Sequence, residues 1–506
     1  MALVNAVFAR SVVSHLDRMG VKRQRMTVDS RSVSPGDVFV AIAGSKLDGR
    51  DFATAALAQG AAAVLFEADH TVTKIDDARI LQVENLSGQM GSIADEFYAH
   101  PSSTLRVVGV TGTNGKTSIA NWLAQAFSAV GTPCAAIGTL GVSLGTKWWS
   151  TQNTTPDAAH LQTILRDLRD AGAAAVALEV SSHALELQRV VGTRFHAVVF
   201  TNLTQDHLDF HGTMAAYAAA KARLFTDYPT AHRIINADDD FGAQLVAKKL
   251  PNTLSYGLAR GDVRGDVISM TADGMQILLS FAGAAVRFDT RLIGRFNAYN
   301  LLAVAAILVT SDVTLEKVAS ILSMLTPAPG RMQRVNAVAD AVEPSVYVDY
   351  AHTPDALAKA LDAVRETRPQ ALTLVFGCGG DRDRSKRPLM GKIAVDRADH
   401  IYVTSDNPRS EPPLAIISEI VAGVDGGRGN AHQSMVQVVE RRDAIQLAIT
   451  TANAKDAILI AGKGHETYQE IKGIRHPFSD VDEARFALAA RNLLTQNANE
   501  VRHVGE

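Results

Sequence analysis

Apolar runs and segments with helical spacing alternate along much of this chain. The run Leu105–Val110 predicts a buried strand, and the residues from Ser118 to Phe127 place their apolar side chains at helical spacing. Further apolar runs at 174–180 and 196–200 predict strands, and each is followed by a polar loop. Alternation of this kind predicts a parallel sheet whose two faces are covered by helices.

Breaks in the pattern divide the chain into three blocks. The first ends near Pro101 and contains the predicted strand Val38–Ile42. The second ends at Thr326–Arg331, where two prolines and a glycine interrupt any regular element. A chain of 506 residues is too long for one core. We therefore expect an α/β protein of three domains: a small N-terminal α/β domain at 1–100, a central doubly wound, mostly parallel sheet at 101–331, and a C-terminal Rossmann-like domain at 332–506.

Three predicted strands of the third block each run into a polar, glycine-rich cluster. The clusters are Gly377–Arg382, Ser405–Arg409 and Ala461–Glu466. Open α/β sheets bind ligands just outside the carboxyl ends of their strands. We therefore expect the three clusters to form one binding site.

A glycine-rich turn follows the strand that ends at Val110. Its sequence at 111–117 is Thr-Gly-Thr-Asn-Gly-Lys-Thr, which is the G-x-x-G-K-T form, because the first glycine of the longer P-loop would fall on Val110. Backbone N–H groups and the positive end of a helix dipole meet at such a turn. Lys116 adds a positive charge, and Thr117 offers a hydroxyl group to a magnesium ion. The turn therefore predicts a phosphate-binding loop for a nucleoside triphosphate.

Composition argues against several classes of function. The 50 basic and 53 acidic residues give a net charge of −3 without a long run of either sign. The sequence therefore shows no basic cluster of the kind that binds nucleic acid. Cys134 and Cys378 are too few for a disulfide framework or a zinc site, and they fit a reducing cytosol. No signal-peptide pattern opens the sequence, and no apolar run is long enough to span a bilayer. We expect a cytoplasmic enzyme without membrane insertion, and no pattern indicates an obligate protein partner.

Several side chains of the central block could face the phosphate loop. Glu179 ends a predicted strand, and Lys221 lies in a predicted helix. The run from Asp206 to His211 is dense in possible metal ligands, but its histidines would suit a transition metal, whereas magnesium prefers oxygen. Taken singly, Glu179 could equally cap the next helix, and Lys221 could be a solvated surface lysine.

Six motifs follow one another along the chain. They are Gly-Thr-Asn-Gly-Lys-Thr at 112–117, Glu-Val-Ser-Ser-His-Ala-Leu at 179–185, Asp-His-Leu-Asp-Phe-His-Gly at 206–212, Gly-Arg-Phe-Asn-Ala-Tyr-Asn at 294–300, Gly-Arg at 330–331 and Asp-Tyr-Ala-His-Thr-Pro-Asp at 349–355. Together they resemble the Mur ligases, which build the peptide stem of peptidoglycan precursors. Asp406–Arg409 and Gly462–Glu466 further resemble the members that add meso-diaminopimelate to UDP-N-acetylmuramoyl-L-alanyl-D-glutamate.

The resemblance implies an ATP-dependent carbon–nitrogen ligase that works through an acyl phosphate. The residues implied to bind ATP are Gly112, Thr113, Asn114, Gly115, Lys116, Thr117, Ser118, Asn297, Asn300, Arg331 and Asp349. Two Mg2+ ions are implied to bind Thr117, Glu179, His207 and Lys221, the last carbamylated into a carboxylate-like ligand. The implied catalytic residues are Lys116, His207 and the carbamylated Lys221.

The same resemblance divides the two other substrates between domains. The UDP-linked substrate is implied to use the N-terminal domain and to bind Ser30, Thr154, Thr155, Ser181 and Arg189. Diaminopimelate is implied to bind the C-terminal domain at Arg382, Asp406, Asn407, Pro408, Arg409, Gly462 and Glu466. Two alternatives stay open, a related ligase that uses another amine such as lysine and a P-loop ATPase whose hydrolysis drives a conformational switch.

Overall fold

The structure is a computed structural model that describes residues 2–44, 47–68, 76–151, 153–336, 343–424 and 434–503. The chain forms two compact units, Met1–Leu203 with His207–Leu254 and Thr204–Asp206 with Ser255–Glu506. Both units are mixed α/β structures with mostly parallel main sheets, which confirms the predicted fold class. Within the described ranges, no helix combines the length and the apolar character needed to cross a membrane.

The first unit begins with a parallel sheet of four strands in the order β1-β2-β3-β4. Buried apolar side chains of these strands and of the neighbouring helices form its core. The elements are α1 Ala2–Arg18, β1 Met26–Thr27, β2 Val38–Ala41, α2 Ala53–Ala58, β3 Ala63–Ala68, β4 Ile80–Glu84 and α3 Leu86–Phe97.

A second sheet of the first unit runs in the order β11-β10-β5-β9-β6-β7-β8. Its elements are β5 Arg106–Thr111, α4 Lys116–Ala129, β6 Cys134–Gly138, β7 Gly141–Leu144, β8 Lys147–Trp149, α5 Ala158–Asp170, β9 Ala175–Glu179, α6 Ser182–Glu186, β10 Phe195–Phe200, α7 Leu208–His211, α8 Met214–Thr226, β11 Thr230–Asn236 and α9 Asp240–Ala247. The strands from β11 to β6 are parallel, and β7 and β8 add an antiparallel edge. Because β5 lies between β9 and β10, the carboxyl ends of these three strands adjoin the phosphate loop.

The second unit contains a run of paired strands, a six-stranded sheet and a separate hairpin. The strands β12 to β15 are hydrogen-bonded to one another in chain order, and the six-stranded sheet runs in the order β16-β17-β21-β18-β19-β20 with only β16 antiparallel. The elements are β12 Thr253–Gly257, β13 Val263–Thr271, β14 Gly274–Phe281, β15 Ala284–Thr290, α10 Arg295–Val309, α11 Leu315–Met324, β16 Gln333–Val335, β17 Ser345–Asp349, α12 Pro354–Glu366, β18 Leu372–Phe376, α13 Lys386–Arg397, β19 His400–Val403, α14 Pro413–Val421, β20 Ser434–Gln437, α15 Arg441–Thr451, β21 Ala457–Ala461, β22 Tyr468–Ile471, β23 Ile474–Pro477 and α16 Asp480–His503.

Strands in the middle of both main sheets are buried along their whole length. Every residue of β9, β18 and β21 is buried, as expected for parallel strands covered on both faces. Helices on either side of the six-stranded sheet contribute to two apolar clusters. The polar loops therefore emerge from a rigid sheet at the carboxyl ends of the strands.

Candidate active site

The phosphate loop between β5 and α4 needs glycine for two reasons. Gly112 and Gly115 have φ values of 147° and 90°, which other residues rarely adopt. A Cβ atom on Gly112 would lie 1.8 Å from Thr201 Oγ1. From the end of β10, Asn202 Oδ1 accepts from Asn114 N at 3.0 Å, and Asn202 Nδ2 donates to Asn114 O at 3.2 Å. The loop is therefore held in shape by the neighbouring strand.

Two side chains at the start of α4 contact the phosphate loop and the neighbouring strand β9. Lys116 Nζ donates to Gly112 O at 2.9 Å and to Thr113 O at 2.8 Å. Thr117 Oγ1 donates to Glu179 Oε2 at 2.9 Å. Glu179 is the last residue of β9 and is 2% exposed. The structure thus brings a cation, a hydroxyl group and a buried carboxylate to one end of the sheet.

Lys221 is buried on α8 beside the same loop. Its side chain is 1% exposed, and Nζ donates to Gly112 O at 2.8 Å. Nζ also lies 4.4 Å from the centre of the Tyr217 ring, whose hydroxyl is 3.1 Å from Thr113 Oγ1. Lysine is rarely buried in this way without a specific role. The geometry excludes a solvated surface position for Lys221.

Three histidines cluster next to α8. The His183 ring lies 4.8 Å from that of His207 and 5.6 Å from that of His211, and the His207 ring lies 6.1 Å from that of Tyr217. Burial, followed by the charges of the other two histidines, lowers the pKa of His183 to about 4. His183 is therefore neutral at physiological pH.

Four of the residues predicted for the UDP-linked substrate lie at or beside Thr155, which contacts Glu179. Thr155 Oγ1 donates to Glu179 O at 2.7 Å and accepts from Ser181 N at 3.1 Å. Arg189 Nη1 donates to Thr155 O at 3.1 Å, and Thr154 is the preceding residue. We call Thr154, Thr155, Ser181 and Arg189 the Thr155 group.

The residues predicted to contact adenine and ribose lie in the second unit. Asn297 and Asn300 are buried one turn apart on α10, and Asn300 Nδ2 donates to Asn297 Oδ1 at 3.3 Å. Asp349 ends β17, and its Oδ2 accepts from Met332 N at 2.7 Å. The Arg331 guanidinium stacks 4.5 Å from the centre of the neighbouring Tyr350 ring.

The clusters after β19 and β21 form one hydrogen-bonded network. Asn407 Nδ2 and Lys463 Nζ both donate to Glu466 Oε2, at 2.7 and 2.9 Å, and Lys463 Nζ also donates to Asn407 Oδ1 at 3.0 Å. Gly462 has a φ of 119°, and a Cβ atom there would lie 2.6 Å from Asp406 Oδ2. Two carboxylates from different loops, those of Asp406 and Glu466, therefore belong to one site.

Arg409 supplies this site with a guanidinium group. Its Nη1 donates to Gly380 O at 2.7 Å, and its Nε lies 3.7 Å from Glu470 Oε2. The Arg409 backbone has a φ of 51°, and its N–H donates to Glu470 O of the β22–β23 hairpin at 3.0 Å. Pro408 packs against Gly380, and Arg382 lies exposed on the same loop. The three predicted clusters thus meet at Gly380, Pro408 and Arg409, with Glu466 held by Asn407.

The linker before β16 packs directly on the last cluster. A Cβ atom on Gly330 would lie 2.1 Å from His465 N and 2.2 Å from the carbonyl carbon of Gly464. The His465 ring lies 5.2 Å from that of Tyr350, and burial, followed by the charge of Arg331, lowers its pKa to about 4. The Arg331 and Glu466 regions are therefore contiguous.

Three families match consecutive parts of the chain. Residues 24–98 match the family described as Mur ligase family, catalytic domain, residues 110–308 the Mur ligase middle domain, and residues 330–464 the Mur ligase, glutamate ligase domain. A protein of Chromobacterium violaceum named "UDP-N-acetylmuramoyl-L-alanyl-D-glutamate--2,6-diaminopimelate ligase" is 48% identical over 482 residues, which cover 94% of this chain and 96% of that protein. The chain belongs to the Mur ligase family.

Solved structures agree with this assignment. One with the same ligase name superimposes on this Mur ligase with a TM-score of 0.67 and 37% identity, over 92% of this chain and 95% of the other. The MurF ligase of Thermotoga maritima in complex with ADP gives a TM-score of 0.64 over 94% of this chain and 99% of its own. At 18% identity, that second likeness concerns the fold alone. As the sequence predicts, the protein is an ATP-dependent carbon–nitrogen ligase.

Most of the predicted site residues of this Mur ligase fall into two groups. The phosphate loop, Glu179, Lys221, His207 and the Thr155 group share the first unit, and the nucleotide-contact and amino-acid residues share the second. Ser30 is not part of the Thr155 group, because it lies on the separate 3₁₀ helix Ser30–Ser32. In the part of the chain that the structure describes, no three His, Cys, Asp or Glu side chains converge as in a metal site.

Sequence reasoning missed several residues that support the site. Thr139 N donates to Glu179 Oε1 at 2.9 Å, and Thr139 Oγ1 lies 3.2 Å from Thr154 Oγ1. Asn202 and Lys463 lie in the polar segments that follow apolar strands, so their positions carry a signal. Thr139 carries no such signal, because the sequence around it does not indicate a contact with the carboxylate of Glu179, which is 40 residues away.

Proposed function

We propose that this Mur ligase adds meso-diaminopimelate to UDP-N-acetylmuramoyl-L-alanyl-D-glutamate, with ATP as the energy source. The observation that carries the proposal is the site around Asp406, Arg409 and Glu466, which combines two carboxylates with a guanidinium group. Such a mixture of charges suits an amino acid with two ammonium and two carboxylate groups. The names of its full-length relatives support the same pair of substrates.

The reaction has two steps. An oxygen of the D-glutamyl carboxylate attacks the γ-phosphorus of ATP, and the bond to the bridging oxygen breaks, which yields an acyl phosphate and ADP. The neutral amine of diaminopimelate then attacks the acyl carbon, loses a proton, and expels inorganic phosphate as the amide forms. The first step is needed because a free carboxylate has no good leaving group for an attacking amine.

The phosphate loop is proposed to hold the triphosphate. The N–H groups from Gly112 to Ser118 would bind phosphate oxygens at the start of α4, and Lys116 would exchange its carbonyl acceptors for phosphoryl oxygens. A charge held there stabilises the negative charge that develops during phosphoryl transfer. Asn297 and Asn300 are proposed to contact adenine, and Arg331 and Asp349 the ribose or phosphates.

Two Mg2+ ions are proposed to bind beside the loop at Thr117, Glu179, His207 and a carbamylated Lys221. The donors present fit magnesium in part, because Thr117 Oγ1 and Glu179 Oε2 lie 2.9 Å apart and magnesium prefers oxygen. A carbamate on Lys221 would add a second anionic oxygen ligand and remove a buried cation. When bound, magnesium neutralises charge on the phosphoryl oxygens.

The Thr155 group and Ser30 are proposed to bind the UDP-linked substrate. The hydroxyl groups of Thr154, Thr155 and Ser181 and the guanidinium group of Arg189 offer several donors next to Glu179. We place the reaction in the cytoplasm, where ATP is supplied and where the buried thiols of Cys134 and Cys378 stay reduced.

A product assay tests the proposal. The protein is incubated with ATP, Mg2+ and the UDP-linked dipeptide, with or without diaminopimelate, and products are identified by mass spectrometry. We expect repeated turnover, with amide product, ADP and phosphate in equal amounts, only when the amine is present. ADP release that needs neither the UDP-linked dipeptide nor diaminopimelate would instead support an ATPase switch. In a parallel reaction with lysine in place of diaminopimelate, amide formation with lysine but not with diaminopimelate would support the lysine-adding type.

A further inference from the structure

A fully buried ion pair lies behind the two amino-acid-binding loops. Arg441 begins α15 and Asp480 begins α16, and both side chains are 0% exposed. Arg441 Nε donates to Asp480 Oδ1 at 2.7 Å, and Nη2 donates to Oδ2 at 2.8 Å. Burial acts to lower the pKa of Arg441, but the charge and hydrogen bonds of Asp480 outweigh it and the pKa is raised. Arg441 therefore stays charged although it is buried.

The same guanidinium group reaches the backbone of both loops. Arg441 Nη2 donates to Ala461 O at 3.0 Å, and Nη1 donates to Ser405 O at 3.4 Å. Ser405 directly precedes Asp406, and Ala461 directly precedes Gly462. The strands β19 and β21, which lead into these loops, lie on opposite sides of β18. One side chain thus spans the end of β18 and joins the bases of two loops whose strands are not paired with each other.

Stability alone gives a weak account of this arrangement. Burying two charges costs desolvation free energy, and well-packed apolar residues of similar size often serve a core equally well or better. A guanidinium group can do what an apolar pair cannot, because its planar set of N–H donors binds a carboxylate and two carbonyl groups at fixed separations. The contacts to Ser405 and Ala461 are therefore the distinctive feature of the pair.

We infer that Arg441, oriented by Asp480, is a positioning residue that fixes the spacing between the Asp406 and Glu466 loops for the amino-acid substrate. The inference rests on the proposed function, since that function makes these loops the diaminopimelate site. Arg441 acts through the loop backbones and does not touch the substrate. Loss of its donors lets the two carboxylates move relative to each other, which weakens the binding of an amino acid held by both.

The chain offers a matched control on the same two helices. Arg442 Nη2 donates to Glu483 Oε1 at 2.7 Å, one position along from Arg441 and three along from Asp480. This pair also joins α15 to α16, but its arginine side chain is 64% exposed. Removing it tests the link between the helices without removing the contacts to Ser405 and Ala461.

The test compares the double variant Arg441→Met/Asp480→Leu with the control Arg442→Gln/Glu483→Gln in the full chain. Initial rates give the KM for diaminopimelate, for ATP and for the UDP-linked dipeptide, and thermal unfolding checks the fold. We expect the first variant to raise the KM for diaminopimelate by about tenfold or more and to keep the other two KM values within about twofold. The control variant keeps all three KM values.

The other outcomes contradict the inference. An unchanged KM for diaminopimelate in a folded variant, or equal losses for all three substrates, would overturn it. If the double variant does not fold, Arg441→Lys serves the same test, because it keeps the buried charge with fewer N–H donors. If neither variant folds, the pair is needed for folding alone and the inference is overturned. Because wild-type activity is measured in parallel, absence of diaminopimelate ligation by the wild type would overturn the proposed function separately.

Discussion

Lys116 stands at the first position of α4 with its ammonium group over two carbonyl oxygens of the phosphate loop. We expect Lys116→Ala to lower turnover by about 10²-fold or more, because a preorganised charge aimed at phosphoryl oxygens stabilises the transition state. Thermal unfolding should change little, since the lysine is only partly buried. Lys147→Ala, an exposed change on β8, is the matched control. Turnover close to wild type in Lys116→Ala would remove the phosphate-loop assignment.

Lys221, unlike the partly buried Lys116, has a fully buried amine with Gly112 O and the Tyr217 ring as neighbours. An ammonium group beside a divalent cation would be repelled, so we expect a carbamate on Nζ in the magnesium-loaded enzyme. Lys221→Ala should lose activity and regain part of it with short carboxylic acids in solution. Intact-protein mass spectrometry gives a readout independent of activity, and a bare amine in the active enzyme would contradict the expectation.

Arg409 is the residue that we expect to separate diaminopimelate from lysine. A guanidinium fork can bind the carboxylate that lysine lacks. With lysine bound, the half-buried Arg409 beside Gly380 and Glu470 would lack that partner. We expect Arg409→Ala to cost about 2–4 kcal/mol in diaminopimelate binding and to narrow the preference over lysine. The KM for each amine measures the effect, and Arg384→Ala, a change of an exposed arginine on the loop between β18 and α13, is the control. An unchanged preference would withdraw the amine assignment.

At the scale of elements, a buried arginine joins α13 to the segment that follows the Arg409 loop. Arg387 is 0% exposed and donates to Glu411 Oε1 at 2.7 Å and Oε2 at 2.9 Å, and to Glu419 Oε2 of α14 at 2.9 Å. The hydrogen bonds from Arg387 lower the pKa of Glu411 from 4.5 to about 2. The folded state therefore favours the ionised carboxylate.

The direction of the pH effect follows from this shift. A carboxylate whose pKa is lower in the folded state stabilises the fold above its unfolded pKa and loses that contribution as the pH falls through the folded pKa. We expect wild type to have a larger free energy of unfolding than Glu411→Gln at pH 7. This difference should shrink as the pH falls from about 4.5 to 2. Urea unfolding at several pH values measures it, and the exposed Glu316→Gln is the control. A pH-independent difference would contradict the assignment.

The elements also show how far the sequence could predict the site. Glu179 at the end of β9 and the three clusters after β18, β19 and β21 follow from apolar runs that stop at polar residues. Arg441 and Asp480 are invisible to the same reasoning, because each stands among other charged residues at the start of a helix. Their meeting depends on packing between distant segments, which local patterns do not encode.

At the scale of the whole molecule, the roles of individual residues follow from the family and from tertiary contacts together. The burial of Lys221 and the network of Asn407, Lys463 and Glu466 arise only after folding. Resemblance supplies which positions matter, and the contacts explain why a lysine or an amide stands there. The structure thus shows that Lys463, Thr139 and Asn202 hydrogen-bond to residues of the candidate site, which the sequence motifs alone do not indicate.

Selection of diaminopimelate by the second unit is tested most directly by a competition experiment. Equal concentrations of diaminopimelate and lysine are offered together with ATP, Mg2+ and UDP-N-acetylmuramoyl-L-alanyl-D-glutamate, and the two amide products are separated by mass. We expect the diaminopimelate product to dominate and ADP to form in step with it. A dominant lysine product, or ADP formed without either amide, would contradict it.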